Sequence, residues 1–169
     1  VSVSGTSNLG ANVTTTGTQT YSGSVTLSGG NRILEGTTVA TAALNGGSSN
    51  LTITGILDLN GAITSTAVLS VSGASNLGAN VTTSGTQTYT GAVTLSAAVT
   101  LTTTSDVITF SDTVNSANST KRNLTLTTGS SSTEINFDGI VGGSNSVGAI
   151  AITGVLDLNA AITAATSVS

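Results

Sequence analysis

The chain repeats itself, and the spacing of those repeats restricts its fold more than any other feature. Residues 3–28 read VSGTSNLGANVTTTGTQTYSGSVTLS and residues 71–96 read VSGASNLGANVTTSGTQTYTGAVTLS, identical at 22 of 26 positions with an offset of 68. Residues 51–66, LTITGILDLNGAITST, recur as residues 150–165, IAITGVLDLNAAITAA, with an offset of 99. The chain therefore divides into two half-repeats of one solenoid, 1–68 and 69–169, the second with a longer middle section at about 97–149. Together the two offsets give a period of 167 residues, and Val168-Ser169 falls where Val1-Ser2 of another copy would begin. A tandem array of such modules is the expectation.

A shorter unit lies inside the halves. Runs such as Val25-Thr26-Leu27-Ser28, Leu51-Thr52-Ile53-Thr54, Val93-Thr94-Leu95-Ser96 and Leu124-Thr125-Leu126-Thr127 alternate apolar and polar residues. Each is a strand with one face to bury. Clusters such as Gly29-Gly30-Asn31 and Gly142-Gly143-Ser144-Asn145 supply the bends between them. The runs overlay one another at short offsets. Leu51 aligns with Leu69 at 18, Gln87-Thr88-Tyr89 with Ile108-Thr109-Phe110 at 21, Phe110 with Phe137 at 27, and Phe137 with Leu158 at 21. Short strands recurring at an irregular 18–27 residues predict an all-β parallel β-helix, a β-solenoid of about eight coils forming a rod. At ~4.8 Å per coil the rod would be roughly 40 Å long. Tyr21, Tyr89, Phe110 and Phe137 are its bulkiest expected core residues. A β-sandwich also has short alternating strands. It would not tolerate 31 extra residues between matched blocks that stay in register; a solenoid absorbs them as an added coil.

Composition removes many functions. The 169 residues contain 34 Thr, 25 Ser, 21 Gly and 14 Asn, but no Cys or His. No zinc, haem, iron–sulfur or copper site can be built from that set, and neither can a Cys nucleophile or a Ser-His-Asp triad. The only basic residues are Arg32, Lys121 and Arg122, and the net charge is −4, so nucleic acid is not an expected partner. No apolar run reaches the ~18 residues of a membrane span. The composition fits an extracellular polymer better than a cytosolic enzyme.

The runs SGTQTYTGAVTL (residues 84–95), VITFSDTVN (107–115) and INFDGIVGG (135–143) resemble repeats of giant bacterial surface proteins of the filamentous-haemagglutinin and autotransporter-adhesin type. The resemblance covers nearly the whole chain. It implies a right-handed parallel β-helix, secretion to the cell surface, and a rod that displays or reaches toward something. The function expected is therefore that of a structural module in an extracellular fibre or adhesin stalk. Its partners would be further copies of itself, end to end and side by side in bundles. The competing expectation is an adhesive module that recognises a host or matrix ligand through section 97–149.

No residue is assigned as catalytic, cofactor-binding or metal-binding, and no cofactor is expected. Four groups of residues offer candidate chemistry. Asp58, Asn60, Asp157 and Asn159 offer oxygen ligands for calcium, but the LDLN pattern reads as outward carboxylates that keep an exposed strand soluble and unpaired. Asp106, Asp112, Glu134 and Asp138 would suggest polysaccharide chemistry if stacking brought them together. Threonine stretches such as Thr102-Thr103-Thr104 and Thr125 to Thr128 would suit an ice-binding ladder, but uneven coil lengths are expected to set them out of register. Asn-x-Ser/Thr sequons stand at Asn12, Asn50, Asn80, Asn118 and Asn123, and in a chain this rich in Asn and Thr, chance and coil-corner asparagine ladders account for most of them. Lys121-Arg122 is expected at the solvated tip of a loop.

Overall fold

The computed structural model describes residues 1–164 and 166–169; Ala165, in the second copy of the 99-residue repeat, lies outside them. Among these residues the regular structure is all strand, and every strand pairing is parallel. The chain winds around one apolar column as a β-solenoid of about eight coils. Each coil has three faces, A, B and C, visited in that order.

Face A can be followed through its inward residues. Val13 pairs with Leu34, Leu34 with Ile53, Ile53 with Val71, and Val71 with Tyr89. Phe110, Phe137 and Leu158 continue the row. The offsets of 18, 21, 27 and 21 expected from sequence are therefore the pairings of the fold. On face B, Val3, Tyr21, Thr41, Leu59, Leu77, Leu95 and Ser116 stack in turn. Face C holds Leu9 on Leu27, then Val81 on Leu101, Leu126 and Ile152. Faces A and B join into one 13-stranded sheet because two long strands, Arg32–Thr41 and Leu51–Leu59, run round the corner between them without a break. Face C is the 8-stranded sheet.

Alternation explains the core. In Val93–Leu95, Leu124–Thr127 and Ile108–Phe110 the apolar positions are buried and the residues between them are not. Tyr21, Tyr89, Phe110 and Phe137 all face inward, at most 2% exposed. Three of them stack directly, Tyr89 on Phe110 at 5.3 Å and Phe110 on Phe137 at 4.9 Å between ring centroids, with planes within 11°. Parallel register stacks like on like, so each ring gains a contact worth ~0.5–1.5 kcal/mol beyond its burial.

Corners absorb the irregular lengths. Between Val3 and Leu51 the chain makes two coils and two faces; between the equivalent Val71 and Ile150 it makes three coils and two faces. Section 97–149 thus adds one coil to the rod, and its remaining extra residues enlarge the corners around 117–123, 128–133 and 142–149. Asparagine side chains close several corners. The Oδ1 of Asn12 accepts the Ile33 amide at 2.9 Å, and the equivalent Asn80 accepts the Thr100 amide at 2.8 Å. Asn123 does the same for Ala149 at 2.9 Å. One glycine is required by geometry: Gly55, φ +125°, turns Leu51–Leu59 from face A to face B, and a Cβ there would run into the carbonyl of Gly36.

Candidate functional site

Among the described residues the side faces bring no cluster of reactive groups together. Asp106 and Asp112 sit at opposite ends of strand Ile108–Phe110, and Glu134 and Asp138 bracket Ile135 to Phe137 on the next coil in the same way. The strand itself keeps the four carboxylates in two separated pairs. Among the described residues no group of three or more Asp, Glu, His or Cys is close enough to hold a metal ion.

Of the two LDLN aspartates, Asp58 is engaged by neighbouring asparagines. Asp58 Oδ1 accepts the Nδ2 of Asn76 on the following coil at 2.8 Å, and its Oδ2 accepts the Nδ2 of Asn60 at 3.3 Å. Asn159 Nδ2 donates to Asp138 Oδ1 at 3.0 Å. Asp157 pairs in register with Asn136 and is exposed. The Asn76–Asp58 and Asn159–Asp138 contacts run along the axis, from coil to coil, and tie the stack together; the Asn60 contact is local to one coil.

Three details depart from the sequence reading. The threonines of face C do come into register: Thr100 lies beside Thr125, and Thr102, Thr127 and Thr153 form one row. Uneven coil length is absorbed at corners and leaves the strands aligned. Ala151 follows Thr125 in its row, so the double row ends after two coils. Secondly, only Lys121 of the basic pair stands fully in solvent. Arg122 is half-buried, its amide donating to Ser116 Oγ at 3.0 Å and its carbonyl accepting from Gly148 at 2.8 Å. Thirdly, Arg32 occupies an inward position on face A, paired with Leu51 and only 7% exposed. Its guanidinium donates to the carbonyls of Leu9 (3.0 Å), Gly10 (2.7 Å), Asn31 (2.6 Å) and Ser28. It acts as a clip closing the Gly29-Gly30-Asn31 corner against the first coil.

Core positions in the first and last described coils are less covered than their repeat equivalents. Leu156 and Leu158 are repeat equivalents of Leu57 and Leu59, which are fully buried; they are 37% and 43% exposed. Val1 is 55% exposed where its equivalent Leu69 is fully buried, and Val3, Leu9 and Val13 are only partly covered. The inward pattern is the same in both members of each pair. What differs is the presence of a neighbouring coil. Both rims also carry unpaired strand edges.

No family model, curated protein or solved structure matches this chain. The fold defines it as a repetitive β-solenoid.

Proposed function

We propose that this chain is a structural module of a long extracellular bacterial fibre or adhesin stalk, stacking end to end on further copies into a stiff filament. One observation carries the reading: residues 150–162 repeat residues 51–63, and those are covered in register by residues 69–81, the repeat of residues 1–13. Leu156 and Leu158 are 37% and 43% exposed, so covering them recovers less than half of the ~1.5–3 kcal/mol that full burial of each would give. Backbone hydrogen bonds running along the axis from coil to coil stiffen such a rod. The resemblance of its repeats to bacterial surface proteins, its Thr/Ser/Asn-rich surface and the lack of Cys support an extracellular setting. Section 97–149 extends the rod by a coil, which favours scaffold over an adhesive insertion.

Electron microscopy over a concentration series tests assembly. Rods should lengthen in steps of one module, and the double variant Leu156→Asp/Leu158→Asp should remain single modules while keeping its β-sheet circular dichroism. Rods that never lengthen, or a double variant that lengthens like the parent, would overturn the assembly reading. Antibody labelling of intact source cells tests location. Surface signal is expected, and signal appearing only after permeabilisation would contradict it.

A further inference from the structure

The repeat and the coil are out of phase. Val3 lies on face B, but its equivalent Val71 lies on face A, because the chain between them makes three coils and two faces. Ile53 lies on face A and its equivalent Ile152 on face C, four coils and two faces later. One full period therefore makes eight coils and one face. The structure shows this shift directly at its far rim. Val168, at the repeat position of Val1, bridges Ile150 on face C, whereas Val1-Ser2 belongs to face B. The Ile150 amide donates to the Ser167 carbonyl at 2.9 Å, as the Leu51 amide donates to the equivalent Val68 carbonyl at 2.8 Å.

The chain also contains a template for the junction between copies. Residues 51–63 are covered by residues 69–81: Leu69 on Leu51, Val71 on Ile53, Leu77 on Leu59 and Val81 on Ile63. All eight of these side chains are at most 1% exposed. Residues 150–162 repeat the lower layer and residues 1–13 repeat the upper one.

Resting on the end-to-end stacking proposed above, we propose that a second copy of this chain docks on the 150–162 rim turned by one face about the axis, with Val3 on Ile152, Leu9 on Leu158 and Val13 on Ile162. Val168, at the repeat position of Val1, already bridges Ile150 in the register this docking requires. Asn8 of the second copy then meets Asp157, reproducing the Asn76–Asp58 hydrogen bond of 2.8 Å. Each further copy turns by another face, so the enlarged Lys121 corner points in three directions around the filament in succession.

Because the chain has no cysteine, disulfide trapping reads the register directly. Parallel neighbours ~4.8 Å apart lie within the Cα separations that a disulfide spans. The full chain carrying Asn8→Cys and Asp157→Cys, both exposed sites, should oxidise into a ladder of covalent multimers. A second variant, Ser2→Cys with Ala161→Cys, traps the unturned arrangement, which would set Val3 on Ile162, and should give no ladder. A ladder only from the second variant would overturn the turn while leaving end-to-end stacking intact. Rods by microscopy with no ladder from either variant would also overturn the register alone. Neither rods nor a ladder would overturn register and stacking together.

Discussion

The Tyr89 hydroxyl donates a 3.1 Å hydrogen bond to Oε1 of Gln87, two residues earlier on the same face of the same strand, and both side chains are fully buried. The equivalent Tyr21 and Gln19 repeat it at 3.0 Å. The glutamine Nε2 is satisfied in turn by corner carbonyls, Thr102 in one case and Val13 with Glu35 in the other. A polar pair thus enters a narrow apolar column with its main demands met. On the next coil the same two places hold Ile108 and Phe110. Tyr89→Phe alone should cost ~1–3 kcal/mol, because it strands the buried Gln87 oxygen. The double variant Gln87→Ile/Tyr89→Phe copies the next coil and should recover most of that loss. Urea unfolding of the three proteins checks this; a double variant no more stable than the single would contradict it.

Burial pushes the Tyr89 phenol well above its ordinary pKa of 10.0, and pushes Tyr21 the same way. The folded state therefore holds its phenol protons more tightly than the unfolded state. Stability from this source is complete below pH 10 and is lost progressively above it. Thermal melts from pH 8 to 11.5 should show a fall in Tm beginning near pH 10, smaller in Tyr89→Phe than in the parent. An equal fall in both proteins would contradict the assignment to Tyr89.

The aromatic stack should behave as a unit. Phe110 touches a ring above and a ring below, so Phe110→Ala should cost ~3–5 kcal/mol by chemical denaturation. Phe110→Leu keeps most of the volume and should cost under half as much. Equal losses for the two would mean that the column repacks freely.

Glycine requirements differ along the chain. Gly55→Ala forces a Cβ against the Gly36 carbonyl at a left-handed φ and should cost at least ~2 kcal/mol. A Cβ on Gly5 meets nothing within 4 Å, so Gly5→Ala should stay within about 0.5 kcal/mol of the parent. A comparison of the two melting curves decides it.

The stacking partners were legible because alternation fixes which residues point inward, and parallel register then places like on like. Tyr89 on Phe110 on Phe137 follows from that alone. The phase of the repeat was not legible, since an offset of 68 residues does not say how many are spent in corners. Only the paired strands reveal that Val3 and Val71 lie on different faces. The same ignorance of corners misplaced the threonine rows, which stay aligned because the extra residues leave the strands. Arg32 was hidden for another reason: a cation satisfied by four backbone carbonyls leaves no acidic partner in the sequence to signal it.

X-ray diffraction from oriented filaments tests the continuous column most directly. Coils stacked along the axis predict a meridional reflection at ~4.8 Å, with a module spacing of roughly 40 Å on the same axis, set by that rise over eight coils and one face. A 4.8 Å reflection on the equator would instead place the strands along the filament and contradict the account.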